Sequence, residues 1–238
     1  MLVKKIAVLV GGWSSERTIS LNSGQNVILS LEKIGFEVQA IDVKKDLRYM
    51  TEKLYEFNPD FVFNMLHGCG GEDGVIQGVL ELFGVPYSNS EVLGSAIAFN
   101  KAICKKIVDS VGVRIIDGSN ISSKEITHIN SIGGITIEYP FVVKPSTNGS
   151  SIGVFLIFNN VDLKHLKNTE WNFGHEVIVE KYIGGREFTV LVVDGEVIGA
   201  LEIIAKNKFY DFESKYKIGG SDHISAYDLD SSTRQEMF

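Results

Sequence analysis

The sequence predicts an α/β and α+β chain, with an amino-terminal doubly wound parallel α/β part followed by antiparallel, mixed structure. Three observations carry that prediction. Residues 4–10, 36–42 and 60–66 contain short β-branched or aromatic runs (KIAVLV, FEVQAID, DFVFNML) of the kind that sit inside a parallel sheet. Helix-like segments separate these runs. In the second half, YPFVVK, SIGVFLIF and EVIVEKYI alternate with loops, and EFTVLVV-DG-EVIGALEII reads as a hairpin turned at Asp194-Gly195.

Taken in order, the opening Met-Leu-Val-Lys-Lys resembles the charged start of a leader, but its apolar stretch stops at Gly11-Gly12 and lacks a cleavage pattern, so it reads as the first strand. In 20–35, Leu21, Gly24, Ile28 and Leu31 recur at helical spacing, and Gly35 is the expected stop. A helix over about 100–111 presents Ile103, Cys104, Ile107, Val108 and Val111 as one apolar stripe before Gly112. The final DLDSSTRQEMF offers a capping box from Thr233 to Glu236 and a helix with no end, which suggests a fragment of a longer protein. No internal repeat or low-complexity linker interrupts this organisation.

Composition narrows the function. The chain has 238 residues, 44% hydrophobic and 22% charged, enough for one large core or two smaller ones. Its 23 basic residues against 30 acidic ones leave a net charge of −7, which argues against a general grip on nucleic acid or an anionic membrane surface. No apolar run reaches the ~18–20 residues of a membrane span. Cys69 and Cys104 fit neither a disulfide framework nor a metal spacing, as expected of reduced cysteines in a cytoplasmic protein.

Several stretches could carry chemistry. In VVKPSTNGSSIG (142–153), Pro145 holds Lys144 extended, and Gly149, Ser150, Ser151 and Gly153 let backbone amides approach an anion; the alternative is a strand connection with a surface lysine. Gly11-Gly12 and Ser14-Ser15-Glu16 follow the first strand, where amides could meet an anion or Glu16 an ammonium, with helix capping the other job open to the serines. The pattern is neither a GxGxxG fingerprint nor a P-loop. In LHGCGGEDG (66–74), His67 could bind a carboxylate or be a half-buried turn histidine. EKYIGGREF and FYDFESKYK place charged residues among aromatic and apolar ones.

Together, GGWSSERTISLNSG, LHGCGGEDGVIQGVLELFGVPYSNS, KPSTNGSSIGV, EKYIGGREFTV and FYDFESKY resemble, in order and spacing, the D-alanine–D-alanine ligases of the ATP-grasp superfamily, along essentially the whole chain. The resemblance implies an amino-terminal domain over 1–98, a central ATP-grasp part over 99–182 and the beginning of a C-terminal ATP-grasp domain, incomplete, over 183–238. It implies that Lys101 and Lys144 bind ATP phosphate under the loop containing Ser151, that Glu180, Lys181 and Ile183 contact adenine, and that Glu187 holds the ribose. Phe209 would pack near the base. Glu16 would meet the ammonium of the first D-alanine and His67 its carboxylate; Glu16, Ser150 and Tyr216 would form a hydrogen-bonded trio, and Lys215 would reach the transferring phosphate.

The implied reaction energises one D-alanine carboxylate as an acyl phosphate, which the amine of a second D-alanine attacks. Tyr216 beside Lys215 resembles members that use D-alanine rather than D-lactate. The family also implies Mg²⁺ or Mn²⁺, peptidoglycan synthesis in the cytoplasm, and commonly a homodimer. Its metal ligands, an Asp and a Glu-x-Asn ahead of Pro-Gly, have no counterpart here, because Glu56–Asn58 and Glu170–Asn172 lack the Pro-Gly. The arginine and glycine donors for the tetrahedral intermediate are also missing, so this stretch alone is expected to be inactive or nearly so. A shortened nucleotide- or D-alanine-binding protein and a different ATP-grasp carboxylate–amine ligase are the other readings.

Overall fold

The computed structural model describes residues 4–129, 131, 132, 135, 136, 138–206, 210, 212–217, 219–225 and 229. Phe209 and the capping box of Thr233 and Glu236 lie outside the described residues. The chain divides into two compact units, Met1–Gly149 with Gly153–Lys181, and Ser150–Ile152 with Tyr182–Phe238.

The first unit opens with the expected parallel sheet: β1 (Lys5–Gly11) lies between β2 (Glu37–Val43) and β3 (Phe61–Asn64). A central parallel strand must be apolar on both faces, and β1 is buried from Ile6 to Gly11. Ile6, Val8 and Val10 face Val27, Ile28 and Leu31 of α1 (Arg17–Lys33). Ala7 and Leu9 face Met50 and Leu54 of α2 (Leu47–Phe57) and Ile76 and Leu80 of α3 (Val75–Phe83). Helices therefore cover both faces, as in a doubly wound fold.

Two helical stripes differ from expectation in part. On α1 the predicted Gly24, Ile28 and Leu31 do face the sheet, joined by Ile19 and Ser20, and only Leu21 departs by being exposed. After α4 (Val92–Phe99) comes α5 (Lys101–Ser110), where Ile103 and Ile107 are exposed and only Ala102 is buried. Val111 beyond its end is exposed as well. The inward arc of α5 is used instead by polar contacts from Lys101 and Lys105, described below.

The same unit continues as an antiparallel sheet of order β4 (Gly118–Ser122), β9 (Glu176–Lys181), β7 (Phe141–Pro145) and β8 (Phe155–Ile157). A short ladder, β5 (Ser131–Ile132) with β6 (Ile135–Thr136), lies between β4 and β7 in sequence. Leu163 and Leu166 of α6 (Asn160–Asn168) pack on Phe141, Val143, Val177 and Val179. The run SIGVFLIF yields a strand of only three residues, because Ser151 and Gly153 take positive φ (59° and 74°) ahead of it.

The second unit holds an antiparallel sheet of β10 (Glu187–Val193), β11 (Glu196–Ala205) and β12 (Ser221–Ser225), with the short α7 (Phe212–Tyr216). Asp194 and Gly195 turn the predicted hairpin with φ of 51° and 81°, the left-handed pair that two-residue hairpins prefer. Leu191, Ile198, Leu201 and Ile224 are exposed on this sheet, whereas Glu202 is buried and held by a bidentate pair with Arg186 at 2.8 and 2.6 Å. Among the described residues, no helix is long and apolar enough to cross a membrane.

Candidate functional site

The sheet order β2-β1-β3 creates a switch point. The connection from β1 to β2 runs through α1 on one face, and that from β2 to β3 runs through α2 on the other, so the carboxyl ends of β1 and β3 lie at the point where doubly wound sheets take ligands. Two serines stitch these ends together. Ser20 accepts from Gly11 N–H at 2.8 Å and donates to Met65 O at 2.6 Å, and Ser14 donates to His67 O at 2.6 Å. Ser14 thus serves as a cross-strand tie: the N-cap position of α1 is Glu16, with no side-chain cap.

The loop after β3 is fixed from within. Asn64 and Gln77 each donate to Gly71 O at 2.9 Å, and Glu72 accepts from Gly68 N–H at 2.7 Å. Glu72 also lies 3.9 Å from His67 Nδ1. The other ring nitrogen, His67 Nε2, is buried with no hydrogen-bond partner among the described residues. Such a group is costly unless something arrives to pair with it. Partial burial pushes the Glu72 carboxyl above its ordinary value, against the downward pull of the Gly68 amide and His67; Glu16 adds to the rise and Lys101 opposes it.

Glu16 is buried at 4% exposure. Its carboxylate leaves no room beside Gly68, whose φ is +70° and where a Cβ would come within 2.4 Å of Glu16 Oε2. Gly149 approaches the same carboxylate, and a Cβ there would lie 2.9 Å from Oε1.

That second glycine leads to the lysines. Asn100 caps α5 by accepting from Ala102 and Ile103 N–H, each at 3.1 Å, and accepts from Ser146 Oγ at 2.9 Å. Lys101 begins the helix; its N–H donates to Ser146 O at 3.0 Å and its ammonium to Asn148 O. Residues 146–149 therefore touch Lys101 at one place and Glu16 at another. Two residues earlier, on β7, Lys144 reaches Glu180 of β9, a diagonal neighbour on the same sheet face.

Glu180 is a carboxylate engaged by two lysines. One oxygen takes Lys144, the other takes Lys105 at 2.7 Å, and its side chain is 4% exposed. Burial alone would raise its carboxyl, but hydrogen bonds from the two lysines outweigh that and hold it below the ordinary value. Lys105 also donates to Ile116 O at 2.6 Å. Sequence reading passed over Lys105 and Glu72, although Lys105 stands one helical turn after Lys101, the spacing that shares a face. Lys181 ends β9 with an exposed side chain and donates its N–H to Asp117 O at 3.1 Å.

In the second unit, Ser150 Oγ lies 2.6 Å from Tyr216 OH and Ser151 donates to Tyr210 O at 3.0 Å. Lys215 sits over the Tyr210 ring, 5.2 Å from its centroid. Ile183 is 58% exposed, and Glu187 is exposed at the start of β10. Ser151 and Lys215 therefore both contact Tyr210, and Ser150 pairs with Tyr216. Among the described residues, no three His, Cys, Asp or Glu side chains cluster as the ligands of an all-protein metal site would.

Comparison with known proteins matches residues 107–237 to the family model "D-ala D-ala ligase C-terminus" and residues 5–59 and 51–90 to "D-ala D-ala ligase N-terminus". A D-alanine–D-alanine ligase of Rhodopseudomonas palustris is 42% identical over 98% of this chain and 74% of that relative. The crystal structure of the Bacillus anthracis D-alanine–D-alanine ligase superposes with a TM-score of 0.78 at 32% identity, covering 98% of this chain and 74% of that one. The same enzyme complexed with ATP superposes at 0.75 with 30% identity, over 99% and 74%.

Proposed function

This chain belongs to the D-alanine–D-alanine ligase family, and from that premise we propose how its residues divide the labour of the family's reaction. The activity is ATP-dependent joining of two D-alanines to D-alanyl-D-alanine for peptidoglycan synthesis. ATP phosphorylates the carboxylate of the first D-alanine. The neutral amine of the second attacks the acyl phosphate carbon, the C–N bond forms, the C–O bond to phosphate breaks, and the amine loses its proton.

Glu16 receives the first ammonium, and the unpaired His67 Nε2 faces the first carboxylate. Lys101 and Lys144 neutralise the polyphosphate, with Ser151 in the loop over it. Glu180, Lys181, Ile183, Glu187 and Phe209 define the nucleoside end, and Lys215 meets the transferring phosphate. Ser150 and Tyr216, paired with each other, order the closing segment, and Glu16 is the third catalytic candidate. Phosphoryl transfer depends on positioning and charge neutralisation more than on covalent help, and alignment of the two reactants contributes on the order of 7–11 kcal/mol.

The observation that carries this reading is the stretch 146–149, touched by Lys101 and abutting buried Glu16, which brings the phosphate and ammonium candidates of the first unit to one loop. We read residues 1–98, 99–182 and 183–238 as the amino-terminal, central and C-terminal parts, the protein as cytoplasmic, and ATP and D-alanine as its partners, without nucleic acid or membrane. Family usage also implies a homodimer and Mg²⁺ or Mn²⁺, which would neutralise phosphate charge. Measurement of ADP release with D-alanine, L-alanine and D-lactate in the full-length protein tests the reading. Stimulation by D-alanine alone is expected, and none above the ATP-only rate would refute it.

A further inference from the structure

Lys144 is not presented to solvent as an unpaired cation. Its ammonium rests on Glu180, so a nucleotide that recruits Lys144 must draw it away from that carboxylate. Glu180 is 4% exposed, and a carboxylate so placed cannot stay charged without a counter-ion. With Lys144 as its one partner, each nucleotide-binding event would strand a buried anion.

Lys105 removes that conflict. Its ammonium lies 2.7 Å from the other Glu180 oxygen and 2.6 Å from Ile116 O, so it is held by two acceptors on separate segments. Lys105 is anchored on the body of α5, one turn beyond the residue whose ammonium binds Asn148 O. Glu180 thus has one partner that can depart and one that is pinned. The three groups sum to a single positive charge.

We propose that Lys105 is a positioning residue for nucleotide binding: it keeps Glu180 neutralised while Lys144 exchanges the carboxylate for the phosphates. The inference rests on the reading of Lys144 as a phosphate ligand. It assigns Lys105 no contact with nucleotide, and it ties the availability of Lys144 to a residue that sequence reading had not singled out.

The test is a double-substitution cycle in the full-length protein, using Mg²⁺-ATP as the probe and reading both calorimetric binding and the KM and kcat of D-alanine-dependent ADP release. Lys105→Met is expected to weaken ATP binding and raise its KM by about 10-fold, with kcat changed less than about threefold, because Glu180 then retains Lys144. Lys105→Arg restores affinity to within about threefold, since a guanidinium also neutralises the carboxylate. In the Glu180→Gln background there is no charge to neutralise, and Lys105→Met changes ATP affinity by less than about twofold.

A tenfold loss in that background would mean that Lys105 touches the nucleotide or only supports the fold, and would overturn the proposal. Unchanged ATP affinity in Lys105→Met would also overturn it. Should Lys105→Met fail to fold, as judged by circular dichroism, the comparison within the Glu180→Gln background decides alone. If the unaltered protein binds no ATP, the nucleotide reading falls, and this inference with it. If the unaltered protein binds and the cycle is additive, only this inference falls.

Discussion

Glu72, in the loop after β3, and Glu180, on β9, belong to the same unit and titrate in opposite directions. Around Glu72, partial loss of water exceeds the help from one amide and a distant imidazole, and the carboxyl rises. Around Glu180, side-chain exposure is lower, yet two ammonium groups more than offset the loss of water, and the carboxyl falls. The strand-end loop is tied by hydrogen bonds to its own backbone and leaves His67 Nε2 without a partner among the described residues, whereas both Glu180 oxygens are taken by lysines. The difference separates a receptor awaiting an anion from a cluster that must release one partner to gain another. The first is organised in advance, and the second works by exchange.

Four substitutions in the full-length protein test that contrast, from the largest effect to the smallest. Lys144→Ala is expected to lower kcat/KM for ATP by about 100- to 1,000-fold, the range for removing a group that stabilises developing charge. An unchanged value in steady-state ADP release would erase the exchange half of the contrast.

Glu180→Gln should cost about 2–3 kcal/mol of unfolding free energy at pH 7, toward the low end for breaking a buried pair because both lysine side chains retain about a quarter of their exposure. Its folded carboxyl lies below the ordinary 4.5, so its contribution is present above that pH and is lost as pH falls through the folded value. Urea titrations should therefore show the gap between the variant and the parent closing on the acid side. A gap that is independent of pH would contradict the pairing.

His67→Ala should raise the KM for the first D-alanine by about 10- to 100-fold while ATP KM moves less than about threefold, as expected for loss of one charge-assisted hydrogen bond. Equal effects on both substrates would mean that the histidine supports the loop rather than the ligand. Glu72→Gln should change stability by no more than about 0.5 kcal/mol, since that side chain is 45% exposed and well screened. Its sign is opposite to that of Glu180. A carboxyl raised in the folded state gives up stability as pH climbs from 4.5 through the folded value, so the variant should gain slightly on the parent over that rise.

Much of the architecture was legible. Runs such as KIAVLV announce strands because a central parallel strand must be apolar on both faces, and Asp194-Gly195 announces a turn because few other pairs accept positive φ twice. The helices were less so. Spacing along α5 suggested an apolar inward stripe, yet Ile103 and Ile107 face out and Lys105 faces a partner, because periodicity locates a face without saying what covers it.

Among the site candidates, the strand-end position of Glu16 and His67 followed from local pattern. The partners Glu72 and Lys105 did not stand out, since a charge in a loop or on a helix has the same local pattern whether it is solvated or paired.

The order of residues alone determined the strand runs, the hairpin and the family, because these depend on short-range alternation, on turn chemistry and on motifs kept in order. Tertiary structure decided which charges meet. Glu180 lies 75 residues from Lys105 and 36 from Lys144, and only the pairing of β7 with β9, with α5 packed nearby, closes those distances. Charge neutralisation in a buried site acts over a few ångströms of space, and separation along the chain carries no measure of that distance.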